Sequence, residues 1–329
     1  MFGLSDLPPM ILTDAYKLSH YRLYPEARSM TAYGEFRTSL DKDQIDHRIV
    51  FYGIQYIIKN YVSRKWTLQD LAKTKLFLKT FNALNSEYPF PEHLFEKFIA
   101  ENDGYFPVVI EALPEGSVIY PRVPVFQITA KNEYSSLVTF LETVLTMVWY
   151  PSTVATLSRR AKTLISKYFD ETVDPPSRFL IDSRLHDFGF RGCTSIEQSV
   201  IGGCAHLLNF EGTDTMSAAY YAQFELNGGK PVGNSIPATE HSVMTSYNSE
   251  LDSIKKALEE YGSGLVSIVM DSYDYKNALE NLLPAVKSLK LKKGGILVIR
   301  PDSGDVVTTV IDGLIACDRV FGSIKNELG

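Results

Sequence analysis

The sequence predicts an α/β protein, with a parallel sheet or barrel in its second half and a mixed α and β segment in its first. Two observations carry this. Apolar runs at 265–270 and 296–299 each stop in a polar cluster, Asp271-Ser272-Tyr273-Asp274 and Arg300-Pro301-Asp302-Ser303-Gly304, with helical spacing between them. Strand, helix, strand in that order is the pattern of a βαβ unit. The stretch 106–129 is instead made of short β-rich runs cut by Pro114, Gly116, Pro121 and Pro124, the punctuation of a small antiparallel unit.

Taken in order, 49–62 carries Val50, Ile54, Ile57, Ile58 and Tyr61 at the spacing of a helix face. Thr67 is a candidate N-cap for a helix running to about residue 81. Strands are expected at 106–113, 118–120 and 125–129. A helix at 137–150 is expected to end at Pro151, because proline lacks the amide hydrogen and clashes with the preceding turn. Beyond it, 154–169 reads as a helix and 179–182 as a short strand. Ser195 and Glu197 open a helix over 195–208. Helices are expected at 213–224 and 237–261, strands at 265–270 and 296–299 (the second buried on both faces), and a helix at 306–321. This divides the chain into an N-terminal α+β domain, 1–150, and a second domain, 151–329. A closed barrel needs eight strands, and the second half holds too few.

Composition narrows the function. Of 329 residues, 45% are hydrophobic and 22% charged, as in ordinary globular chains. Lys plus Arg is 33 and Asp plus Glu is 39, a net −6, which argues against a general nucleic-acid binder. Cys193, Cys204 and Cys317 have neither metal-ligand spacing nor a disulfide pattern, which fits a cytoplasmic protein. Residues 1–10 lack the basic and apolar blocks of a leader, and no apolar run approaches the roughly 20 residues needed to span a bilayer.

Four clusters carry candidate chemistry. Arg300, Pro301 and Asp302 follow a strand, where α/β folds bind ligands. Arg grips phosphate with paired hydrogen bonds, and Asp accepts from sugar hydroxyls or a metal, so the turn suits a phosphorylated sugar; a surface turn with a local ion pair is the alternative. Residues 186–192, His-Asp-Phe-Gly-Phe-Arg-Gly, set aromatics beside a guanidinium, a grip for a flat ring, or else a tight turn with a capping Asp. Asp214 is either a first-turn acid facing the helix dipole or an acceptor for a substrate amide. His241 opens a helix; it is structural, or a nucleophile if a carboxylate holds its other ring nitrogen. The acids of 271–274 and Asp302 suit a ribose and a Mg²⁺-bound pyrophosphate. Neither a Walker-type loop nor a dinucleotide glycine fingerprint is present. The stretches 14–21 and 34–37 are dense in polar and aromatic groups and by themselves read as solvated turns.

Together, TDAYKLSHY, FYGIQY, WYPSTVATLSR, LHDFGFRG, NFEGTDT, SIPATEHS, DSYD and IRPDSG resemble the nicotinamide phosphoribosyltransferase family of the type II phosphoribosyltransferase group, in order and across nearly the whole chain. The resemblance implies an irregular (β/α) barrel with an added N-terminal α+β domain, a homodimer with shared active sites, and transfer of phosphoribose from phosphoribosyl pyrophosphate to nicotinamide. It implies that Phe188 stacks on the pyridine ring with Tyr16 of a second subunit opposite, that Asp214 holds the carboxamide with Ser235 near, and that Arg191 lies beside ring and pyrophosphate. Arg300 and Pro301 would meet pyrophosphate, Asp302 the ribose, and Arg37 the phosphates across the dimer. His241 would be phosphorylated by ATP, oriented by Asp274, with Mg²⁺ carried on pyrophosphate and no protein metal ligand directly assigned. The chain departs from the family at Met270, where a small polar residue is usual, so the wall of the base site is expected to differ. It also stops before the family's later strands and glycine-rich phosphate loop, so the barrel is expected to be incomplete. The alternatives are a nicotinate phosphoribosyltransferase and a shortened, non-catalytic dimerising chain.

Overall fold

The computed structural model describes residues 6–40, 46–83 and 86–327. Part of the opening segment read as lacking a leader, and the last two residues, where the chain reads as stopping short, lie outside them. Contacts divide the chain into two compact units, Met1–Asn234 and Ser235–Gly329.

The first unit contains the expected antiparallel sheet, in the order β1 (Ser29–Glu35), β5 (Pro124–Lys131), β3 (Val108–Ala112). Register runs Ser29 opposite Lys131 to Gly34 opposite Phe126, and Val108 opposite Ala130. β1 is the strand that periodicity missed; Gly34 breaks its side-chain pattern because the Phe126 ring lies across it, so that a Cβ there would stand 2.3 Å from Phe126 Cζ. A second antiparallel pair joins β2 (Ile49–Phe51) to β4 (Ser117–Ile119). Thus 49–51, expected to be helical, is a buried strand, and the helical spacing belongs to the run that starts at Ile54. The aromatics gather where the sequence leaves them, in the core: Trp66 has Phe95, Phe98, Phe106 and Phe140 around it, at centroid distances of 5.1 to 5.7 Å.

Thr67 caps the helix Leu68–Leu78, its hydroxyl accepting the Asp70 N–H at 3.1 Å. Because Thr67 is exposed and its bond satisfies an otherwise unpaired amide, Thr67→Ala is expected to lower unfolding stability by about 1 kcal/mol without leaving a cavity, measurable as a shift in urea midpoint at constant slope.

Pro151 does not end a helix. It lies in the first turn of Trp149–Thr172, where its missing N–H costs little. That helix crosses the expected boundary at residue 150. The Ser152 hydroxyl accepts from Tyr52 N–H (3.0 Å) and the Thr156 hydroxyl from Val50 N–H (2.9 Å), pairing the open edge of β2 with helix side chains. The division by contacts falls instead after Asn234. Residues 179–182 form 3₁₀ turns within Pro175–Ser183 rather than a strand.

In the second unit β6 (Leu265–Val269) pairs in parallel with β7 (Ile296–Arg300), Leu265 opposite Ile296 through Val269 opposite Arg300. β6 is buried, whereas β7 is not: Ile296 is 62% and Val298 38% exposed. The expected long helix over 237–261 is two, His241–Thr245 and Glu250–Tyr261, the latter capped by Ser249. Its first turn is lost to competition from β6. Thr239 N–H donates to Ser267 O (2.9 Å) and Ser267 N–H to Pro237 O (3.0 Å), which holds 237–239 extended. Other parallel pairing consists of single rungs, Asp187 with Thr213 and Gly212 with Asn234. The described residues therefore establish a mixed α/β fold with the N-terminal domain present; these pairings do not draw the expected partial barrel.

Candidate active site

Two clusters carry the sequence-predicted chemistry, one in each unit. In the first, the rungs at 187, 213 and 234 deliver polar side chains where each short strand ends. Asp187 N–H donates to Gly212 O (3.1 Å) and Asp214 N–H to Asp187 O (2.8 Å). Asp187 Oδ1 accepts the Gly189 N–H at 2.7 Å and tightens the turn. Phe188 is left 56% exposed. It lines a cleft of about 420 Å³ together with His186, Phe190, Tyr150 and Cys193. The His186 ring lies 4.8 Å from that of Phe188, and its Nε2 is 2.6 Å from Asp214 Oδ2. Deeper, His206 is buried against Phe210 and donates from Nε2 to Gly212 O (2.9 Å); burial lowers its pKa, so it stays neutral and braces the turn.

Arg191 is exposed on the turn Phe190–Gly192. Tyr16 is 55% exposed on the 3₁₀ run Ala15–Arg22, which Lys17 anchors by a buried ammonium paired with Glu142 at 2.5 Å. Arg37 is exposed beyond β1. Neither Tyr16 nor Arg37 lines the Phe188 cleft of its own chain.

In the second unit the register of β6 and β7 carries the chains past each other, Met270 N–H still donating to Arg300 O (3.1 Å). Asp271, with only 4% of its side chain exposed, gathers three groups. Its Oδ1 is 3.3 Å from His241 Nε2, and its Oδ2 accepts from Asp302 N–H (3.0 Å) and Ser303 Oγ (2.5 Å). Burial pushes this carboxyl up, but the bonds from Ser303, Asp302 and His241 outweigh it and hold it below the usual carboxylate range. Asp302 Oδ2 lies 3.9 Å from His241 Nδ1.

Asp274, expected to orient His241, caps the turn Tyr275–Asn277, accepting Asn277 N–H at 2.9 Å. It lies beyond the strand end, whereas Asp271 is level with Asp302. Arg300 donates to Thr239 O (2.8 Å), and its buried Nε has no hydrogen-bond partner among the described residues, leaving a donor for an anion. Pro301 is half-buried and Ser235 exposed. Met270, expected to reshape the base site, is fully buried in the core of its unit. Sequence reasoning counted Asp271 among the acids suited to ribose and pyrophosphate but did not pair it with His241, and gave no individual role to Ser303 or His186; their signal was the motif itself, DSYD, PDSG and LHDFG. It also passed over Glu250, a buried first-turn acid whose pKa is raised by burial and by Asp271.

This fold, with acids, a histidine and an arginine at parallel strand ends, has solved counterparts. It superposes on a nicotinate-nucleotide pyrophosphorylase from Pyrococcus furiosus (TM-score 0.63, 13% identity, 97% of this chain and 65% of that one). It superposes likewise on human nicotinic acid phosphoribosyltransferase (0.60, 17%, 94% and 65%). In sequence, residues 9–110 match the nicotinamide phosphoribosyltransferase N-terminal domain and 183–327 the nicotinate phosphoribosyltransferase family. The chain is 35% identical to the nicotinamide phosphoribosyltransferase of Xanthomonas campestris pv. campestris, over 97% of this chain and 67% of the relative. It is 33% identical to that of Acinetobacter baylyi (92% and 63%) and 31% to that of Mycoplasma genitalium (92% and 68%). The chain belongs to the nicotinamide phosphoribosyltransferase family. It spans about two thirds of the length of these relatives.

Proposed function

We propose that the chain transfers phosphoribose from phosphoribosyl pyrophosphate to nicotinamide, giving nicotinamide mononucleotide and pyrophosphate in NAD salvage. The observation that carries this reading is the exposed Phe188 ring in a cleft beside Asp214: a flat apolar face next to an acceptor suited to an amide N–H₂. The ring would lie on Phe188, with Tyr16 of a second subunit of a homodimer on its other face. Arg191 would neutralise phosphate near the base, with Ser235 near the amide, and Arg37 would reach phosphate across the dimer. The orphaned Arg300 donor, with Pro301 beside it, favours pyrophosphate, and Asp302 the ribose hydroxyls. As pyrophosphate leaves, positive charge grows on the ribose, and a positioned base and neutralised leaving group lower that barrier.

Among the described residues no three His, Cys, Asp or Glu side chains converge as a metal cage. Mg²⁺ commonly binds through one or two carboxylates plus substrate phosphates, so it would arrive on pyrophosphate as part of the substrate. ATP enters as a coupled co-substrate. With Asp271 accepting from His241 Nε2–H, the Nδ1 lone pair is the nucleophile: an Nδ1–P bond forms to the γ-phosphorus as its bond to ADP oxygen breaks. No helix among the described residues is long and apolar enough to cross a membrane. The cytoplasm suits these substrates.

The match of 183–327 to the nicotinate phosphoribosyltransferase family favours a second reading, in which the base is nicotinate. Asp214 separates the two, because a carboxylate facing a carboxylate repels it. Given each base with phosphoribosyl pyrophosphate and Mg²⁺, the protein is expected to yield nicotinamide mononucleotide; turnover of nicotinate alone overturns the amide reading.

A further inference from the structure

We propose that His186 is a positioning residue for base selection: by donating from Nε2 to Asp214 Oδ2, it fixes that carboxylate to receive an amide-bearing base and to reject a carboxylate-bearing one. The proposal rests on the reading above that Asp214 meets the carboxamide.

The contact is 2.6 Å, and a carboxylate oxygen accepts, so Nε2 is the donor. The ring is itself held. Phe188 lies against it at 4.8 Å and 39°. On the other side is bare backbone: a Cβ at Gly212 would stand 2.7 Å from His186 Nδ1, so glycine is what lets the ring lie there. Gly212 is braced in turn by the bond from His206 to its carbonyl. The chain of support therefore runs from His206 through Gly212 and His186 to Asp214. The His186 and Asp214 side chains are 25% and 38% exposed, so both are open to a ligand.

Selection follows from charge and orientation. The hydrogen bond from the imidazole ties one carboxylate oxygen and leaves the other to face the base, so the repulsion toward a nicotinate carboxylate persists. It also freezes the side chain, so an amide N–H₂ finds its acceptor already placed. Without His186 one Asp214 oxygen loses its fixed donor; the amide loses a preset partner, and the acid loses part of its penalty.

The test compares kcat/KM for nicotinamide and nicotinate, at saturating phosphoribosyl pyrophosphate, in wild type, Asp214→Asn, His186→Ala, His186→Phe and His186→Gln. His186→Ala is expected to lower the amide-to-acid ratio about tenfold, chiefly through KM for nicotinamide, the size of one lost hydrogen bond to a charged group. His186→Gln, which keeps a donor, restores most of the ratio. His186→Phe keeps a ring without the donor, so the ratio must still fall in it even if the alanine variant does not fold. Equal losses for both bases with the ratio unchanged assign His186 a packing role and overturn the proposal. A wild type without preference for nicotinamide, or a preference that survives Asp214→Asn, defeats the Asp214 reading and the proposal with it. A preference that needs Asp214 yet survives both His186→Ala and His186→Phe defeats the proposal alone.

Discussion

With alanine in place of Asp271, ATP is expected to stop accelerating phosphoribosyl transfer, and acid-labile phosphate on the protein to disappear, as they should in His241→Ala. Asp271 is the buried carboxylate that meets His241 Nε2, while Asp302 N–H and Ser303 hold its other oxygen still. Removing it leaves the imidazole free to turn and to choose the wrong tautomer. Positioned proton acceptors of this kind contribute about 10²–10⁴-fold, and phosphorylation of His241 by ATP is expected to slow by that factor. The control is Asp274→Ala, which removes a helix cap, costs about 1 kcal/mol and leaves the labelling intact. Labelling that survives Asp271→Ala but is lost in Asp274→Ala would reverse the assignment. The pH dependence has a definite sign. A carboxyl whose folded pKa is depressed contributes stability above its unfolded value of about 3.9 and loses it as the pH falls through the lower folded value. The Asp271–His241 contact is therefore present across the neutral range, and any acid limb of ATP stimulation above about pH 5 belongs to another group.

Why Asp274, rather than Asp271, was matched to His241 shows how far local sequence signals reach. The motif DSYD was visible, as were both strands and the turn after each. What decides between the two acids is register. Val269 opposite Arg300 puts Asp271 level with Asp302, and register is set by pairing across the sheet, which leaves no trace in either strand alone. The late start of the helix expected over 237–261 is the same lesson. Its helical spacing is real, but Pro237, Ala238 and Thr239 pair with β6 and hold that stretch extended, and this brings His241 to the first turn of a short helix beside the strand ends. Local signals fared better where the cause is local. Thr67 and Ser195 cap the helices they were read to start, and the proline and glycine punctuation of 106–129 marks real antiparallel strands. The aromatics were legible as core in bulk. Phe188 was singled out by its glycine and arginine neighbours, and it is the one in the 186–192 motif that stands most exposed.

That exposure makes Phe188 the sharpest test of base recognition. Phe188→Ala is expected to raise KM for nicotinamide about 10–100-fold, the loss of about 1–3 kcal/mol that accompanies removal of an aromatic stacking on a base. KM for phosphoribosyl pyrophosphate should stay within about twofold, because an apolar ring offers no group that pairs with phosphate. Phe188→Tyr should retain most of the affinity, since the flat face survives. Stability should change little, within about 0.5 kcal/mol, because a ring that is 56% exposed gives up little packing when truncated. A core aromatic behaves in the opposite way: Phe98, fully buried beside Trp66, is expected to cost about 3–5 kcal/mol as alanine. The two variants thus separate the roles that one residue type can play in this chain. If Phe188→Ala destabilises the fold like a core truncation while KM for the base holds, Phe188 is packing, and the pyridine must be bound elsewhere.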